Sequence, residues 1–443
     1  MKKAALASVH APDIGLPLRF MVLGMASLAG VVAFLVFNAT LLTQYHYSPH
    51  IIAVTHWFLL GFVVSIVSGA LYQLTPVALE TRLHSPRLAR WHFVCQIIGV
   101  PGMVFMFWQW NLKQVGHFGS VFALGVGLLA YNIYKTLRQI PRRTPVSLAI
   151  GSATFWLTAG MLYGLYLASA KCWPRINVSD PMAEMHAHVH TTVLGCFIIL
   201  ILGVSYRLVP MFTLGAIRNE RRAVGSILLL DVAVAGLAVT ITLQSRWKLL
   251  FAAIAGGGFL LYALEMRAIL ATRKRKPLDW GLKTFLLAIT LLAPLTLVGL
   301  ALASPLLPPG EVSAQLENVY GILAIPGVIT LSILGMMQKI LPFLVWYHTY
   351  APLAGRARVP ALSELGSERL PAAGCILYLA GLGVLAVAAG TQHDDWATPA
   401  WGLIATAVSL FLANAILTLS HWGRRTGAAS DLLPGTSAGG PAA

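Results

Sequence analysis

Six histidines gather at the starts of two apolar segments: His46, His50 and His56 at one, and His186, His188 and His190 at the other. Neutral imidazole is the commonest metal-ligating side chain and a usual axial ligand of haem iron. His186 and His190 are four residues apart and share a helix face. His188 points roughly 200° away from that face at 100° per residue. One short stretch can therefore supply ligands to two pockets. A single histidine at a helix end usually just hydrogen-bonds at the interface. Here the same histidine recurs in a longer shared pattern, which favours a site.

That pattern runs His56-x4-Gly61-x7-Gly69-x2-Tyr72-x-Leu74-x-Pro76, and again His190, Gly195, Gly203, Tyr206, Leu208, Pro210 with no gaps. A third copy keeps Gly327, Gly335 and Pro342, with Ile322 in place of the histidine, Gln338 in place of the tyrosine and Ile340 in place of the leucine. The frames start at 56, 190 and 322, which are 134 and 132 residues apart. Repeats at a fixed interval mean repeated structural units.

The surrounding elements follow from composition. The chain has 443 residues, of which 57% are hydrophobic and 10% charged, far below the charge of a soluble domain. Apolar runs of about 20 residues can span hydrocarbon. Twelve are expected, near 20–42, 51–76, 91–110, 117–136, 147–169, 187–212, 224–243, 248–270, 282–303, 319–345, 371–390 and 398–420. Each repeat interval then holds four spans. The expected fold is an all-α polytopic membrane protein of about twelve transmembrane helices in three pseudo-symmetric four-helix units.

The net charge of +16 is explained by its distribution rather than by a nucleic-acid partner. Lys and Arg crowd alternate loops, as at Arg82, Arg87 and Arg90, at Arg218, Arg221 and Arg222, and at Arg273 to Lys276. The positive-inside rule then places both termini in the cytoplasm and the histidine clusters toward the outer side of the cytoplasmic membrane. Residues 1–19 are expected as a cytoplasmic N-terminus without a secretory leader, 20–421 as the membrane domain, and 422–443 as a disordered cytoplasmic tail rich in Gly, Ala and Pro. Four scattered cysteines do not suggest a disulfide framework. Asp231 and Glu265, inside spans seven and eight, are expected to pair with neighbouring helices.

The stretch His188-Val-His190 with Gly195, Gly203, Tyr206, Leu208 and Pro210 resembles a signature of the haem–copper oxidase superfamily. It is similar to span ten of the catalytic subunit of cbb-type cytochrome oxidases and of their nitric oxide reductase relatives. There an H-x-H places one histidine on a high-spin haem and the next on a low-spin haem. The chain also resembles NnrS-type proteins, twelve-span haem- and copper-associated proteins of nitrosative stress. The resemblance implies twelve spans in three arcs, with haem b and copper as cofactors. It makes His56 the match of a low-spin haem ligand and His188 and His190 the match of the H-x-H pair. The sequence departs from the family in carrying that pair in span six. Span ten offers Ile322, and span seven lacks the paired histidines of the copper site.

Two placements follow. His56 and His190, equivalent in the repeat, are expected to share one haem b between spans two and six. His188, with His186 or His50, is expected to hold a second metal, copper. The resemblance further implies a small gaseous ligand, a cytochrome c or quinol donor, or a small partner subunit. Three functions stay open: a redox protein acting on oxygen or nitric oxide, a non-catalytic haem or copper binder, and a cofactor-free transporter.

Overall fold

The computed structural model describes residues 13–173, 180–355 and 358–422. Among these, twelve helices are long and apolar enough to cross a membrane: α1 (Gly15–Val36), α2 (Pro49–Ala78), α3 (Pro86–Trp108), α4 (Leu112–Leu137), α5 (Pro145–Cys172), α6 (Pro181–Thr213), α7 (Glu220–Thr242), α8 (Lys248–Ala271), α9 (Trp280–Ala303), α10 (Glu311–Thr349), α11 (Arg369–Thr391) and α12 (Asp394–Leu419). Their outward faces carry large apolar side chains such as Leu124, Phe155, Leu260 and Ile416, each about 60% or more exposed. That surface is stable only against lipid.

The local starts follow familiar rules. Ser48, Ser85, Thr144 and Asp180 accept main-chain N–H groups at the starts of α2, α3, α5 and α6, and each is followed by proline. The first helix begins earlier and ends earlier than the hydropathy pattern predicts. Asn38 Nδ2 donates to the Phe34 carbonyl at 2.9 Å, and residues Ala39–Thr43 turn into a 3₁₀ segment. Residues 15–19, read from sequence as part of the N-terminal segment, belong to α1. Residues 1–12 of that segment and 423–443 of the expected tail lie outside the described residues.

Consecutive helices pack against one another around the bundle, and the repeat interval divides them into α11–α12–α1–α2, α3–α6 and α7–α10. The first is closed by α12 against α1, where Trp401 Nε1 donates to the Val32 carbonyl at 3.2 Å.

The repeat is visible in geometry. Each of α2, α6 and α10 opens into a π-helical turn at the same place in the frame: Trp57–Val63, His190–Ile198 and Leu323–Thr330. Such turns are rare and concentrate at functional positions. The second frame glycine lets each of these helices touch its predecessor. A Cβ on Gly69 would lie 2.7 Å from the Pro17 carbonyl of α1, one on Gly203 would lie 1.9 Å from Ala149 Cβ of α5, and one on Gly335 would lie 2.7 Å from the Gly281 carbonyl of α9. Tyr72 and Tyr206 are buried and reach into the following helix, to His92 Nδ1 at 3.0 Å and Ser226 Oγ at 2.9 Å. Gln338, their counterpart, accepts from Asn414 Nδ2 of α12 instead.

Candidate haem and metal site

A cavity of about 1310 Å³ opens where α2, α6 and α10 begin. It exceeds the roughly 300–1,000 Å³ usual for small-ligand pockets. Its wall is mainly aliphatic and aromatic, and His46, His56, His186, His188 and His190 all line it.

His56 and His190 share one local arrangement. His56 Nδ1 lies 2.7 Å from the Ile52 carbonyl, and His190 Nδ1 lies 2.8 Å from the His186 carbonyl. A carbonyl only accepts, so each Nδ1 carries the proton and each Nε2 keeps its lone pair. Ligating histidines are commonly fixed in this way by their other nitrogen. Both sit at the edge of a π turn.

Their surroundings differ. His56 stacks on Phe107 of α3, with ring centroids 4.4 Å apart. His190 lies nearly parallel to Tyr320 of α10, and its Nε2 is 3.5 Å from the phenol oxygen. His188, on the opposite side of α6, meets Tyr163 edge-on and occupies the space left by Gly164 of α5. A Cβ at Gly164 would come within 3.1 Å of its ring. The Nδ1 of His188 is buried without a hydrogen-bond partner. The opposed directions read for the H-x-H pair are therefore present: one ring turns toward α10 and the other toward α5.

Of the residues expected to hold a second metal, His186 and His188 line the cavity and His50 does not. His50 is exposed and lies tilted against Trp108, with centroids 4.3 Å apart, outside the cavity wall. His188 faces away from His186 because the two are two positions, about 200°, apart on a helix. Among the described residues, the one group of three potential ligands is His46, His186 and Glu317, whose donor atoms lie within 4.8 Å of one another. His46 Nε2 is 2.9 Å from His186 Nε2 and 3.9 Å from Glu317 Oε2. Sequence reasoning placed His46 in the loop above the cluster but did not assign it as a ligand, and it missed Glu317 and Tyr320. Glu317 and Tyr320 stand five and two residues before Ile322, where the third frame starts, and that spacing was the available signal.

Outside the spans, burial and then the Glu317 carboxylate push the Tyr45 phenol up to about 12, so it stays a donor at physiological pH. Burial lowers the His46 pKa, partly countered by its hydrogen bond to Asn318. Deeper carboxylates are paired. Asp231 accepts from Ser152 and from Trp156 Nε1, and Glu184 accepts from Tyr163. Glu265, fully buried, accepts the main-chain N–H groups of Arg218 and Asn219 and faces Arg222.

The fold is similar to that of a haem–copper terminal oxidase dimer solved by cryo-electron microscopy, with a TM-score of 0.61 over 94% of this chain and 84% of that one, at 12% sequence identity. At that identity the likeness is one of fold. No protein-family model matches the chain, and no curated protein matches it in sequence.

Proposed function

We propose that this multi-pass membrane protein binds haem b in the histidine-lined cavity and handles a small gaseous ligand, oxygen or nitric oxide, in a redox or protective role. One observation carries the reading: His56 and His190 have the same carbonyl-fixed Nδ1 and present Nε2 to a large apolar cavity. The residues fit the group in donor chemistry, and the cavity they line is large. His56 and His190 would hold the iron, and His188, with its unpartnered buried Nδ1, would stand beside it. Bound haem would supply reversible one-electron chemistry and an iron for diatomic ligands.

What the chain itself contributes is orientation and exclusion of water. The Ile52 and His186 carbonyls hold two imidazoles in one tautomer, and Phe107 and Tyr320 lie against their faces. On the positive-inside reading, this end of the bundle faces outward from the cytoplasmic membrane, with both termini inside. Electrons would then come from a cytochrome c, a quinol or a small partner subunit. With no histidine in the described frame of α10, the site differs from the two-centre arrangement that the H-x-H resemblance implies. A haem binder without steady turnover, as in NnrS-type proteins, is therefore the nearer analogue.

The test is the reduced-minus-oxidised visible spectrum of detergent-purified protein from haem-replete cells. A b-type α band lost in both His56→Ala and His190→Ala sustains the reading. Loss in His56→Ala and His188→Ala, with His190→Ala unchanged, moves the axial pair to His188. Protein without haem overturns it in favour of a cofactor-free transporter, and a band intact in all three variants overturns the assignment of haem to these histidines.

A further inference from the structure

We infer that His46, His186 and Glu317 form a binding site for one divalent first-row transition-metal ion at the mouth of the cavity, separate from the haem histidines. The three ligands come from three different parts of the fold. His46 lies in the connection between α1 and α2, His186 in the first turns of α6, and Glu317 in the first turns of α10. All three line the cavity.

The spacing suits an ion. Bonds of about 2.0–2.1 Å to a tetrahedral centre put neighbouring ligand atoms roughly 3.3 Å apart. The observed separations from His46 Nε2, 2.9 Å to His186 and 3.9 Å to Glu317, bracket that value. Two imidazole nitrogens and one carboxylate oxygen are a donor set for zinc, iron, copper or nickel rather than for calcium or magnesium. Three protein ligands leave a coordination position open, and the cavity lies beside it.

Two of the three ligands are also oriented by their neighbours. Asn318 Nδ2 donates to the Gln44 carbonyl at 3.2 Å, which turns its Oδ1 toward His46 Nδ1 at 3.1 Å. His46 Nδ1 must then carry the proton, and Nε2 points its lone pair at His186. The Tyr45 phenol donates to Glu317 Oε2 at 3.3 Å and orients the carboxylate. Such outer contacts are what a metal site needs and what a chance cluster lacks.

The site also reaches the haem pocket through the main chain, because the carbonyl of His186 is the acceptor for His190 Nδ1. An ion on the His186 ring would stiffen the turn that orients His190. It would also add a shared metal to the hydrogen bonds that already join the α1–α2 connection, α6 and α10 here.

The experiment uses full-length, tag-free protein in detergent, stripped with a chelator and titrated with Zn²⁺ alone, with bound metal counted by mass spectrometry after dialysis. One equivalent in the parent protein, lost in His46→Ala and weakened at least tenfold in Glu317→Gln, with His50→Ala unchanged, is the expected result. Tyr45→Phe, which keeps every ligand, is expected to weaken binding about tenfold and serves if His46→Ala does not fold. His56→Ala is expected to keep the zinc, which separates this site from the haem reading. No equivalent in the parent protein, an equivalent retained in every variant, or its loss in His56→Ala overturns the assignment.

Discussion

The main-chain carbonyl of His186 accepts the Nδ1–H of His190 at 2.8 Å, while the His186 ring meets His46 2.9 Å away. One residue thus bears on both proposed sites, through its backbone on one and through its side chain on the other. The same carbonyl arrangement at Ile52 and His56 shows that the backbone half of this relationship is a property of the repeat. The side-chain half is particular to α6.

Tyr320 gives a first prediction. Its ring covers His190, and its oxygen is 3.5 Å from Nε2. If His190 carries haem, Tyr320→Phe is expected to retain the haem but to shift its midpoint potential and the position of the reduced α band. An unchanged spectrum and potential would remove His190 from the axial pair. Redox titration followed at the α band makes the check.

A second prediction concerns the close helix contacts. At Gly335 a Cβ would meet the Gly281 carbonyl and the Phe285 amide, both at 2.7 Å, and backbone cannot step aside. Gly335→Ala is expected to destabilise the protein by about 1–3 kcal/mol through overpacking. Gly321, in the same helix, has nothing within 4 Å of its missing Cβ, so Gly321→Ala should be neutral or slightly stabilising. Thermal unfolding of the detergent-solubilised variants, measured side by side, distinguishes the two.

Glu265 supplies a third. It is buried, and its Oε1 accepts two main-chain N–H groups at 2.6 and 3.0 Å, from the connection that leads into α7. Glu265→Ala leaves both donors without that partner, at about 1–3 kcal/mol each where water cannot reach. Glu265→Gln retains an acceptor oxygen and should lose less. The order Ala worse than Gln is the outcome to look for in expression level and midpoint of thermal aggregation. Equal behaviour would mean that only the charge toward Arg222 matters.

The sidedness of the bundle is open to a direct measurement. Leu306, between α9 and α10, is 90% exposed and lies at the histidine end. With Cys172 replaced by alanine, Leu306→Cys is expected to react with a membrane-impermeant maleimide added to intact spheroplasts. A cysteine in place of Arg82, between α2 and α3, should react only after lysis. The reverse pattern would invert the topology and put the cavity mouth in the cytoplasm.

The depth of each residue was legible in the sequence. Hydropathy is a one-dimensional record of position along the membrane normal, so the twelve spans, the repeat and the gathering of six histidines at one end could be read directly. The glycine spacing marked the close contacts, because only a missing side chain lets backbones meet. Lateral neighbours were another matter. Azimuth depends on how helices rotate against one another, and on the π turns at Trp57, His190 and Leu323, which no composition rule announces. The path of residues 37–48 depends on packing over the helix ends. It turns His50 out onto Trp108 and brings His46 in against His186, across 140 residues of chain. Tertiary structure alone decided that Glu317 and Tyr320 of α10, a helix whose frame has lost its histidine, face the histidines of α6, because those contacts are set by the closure of three units around one cavity.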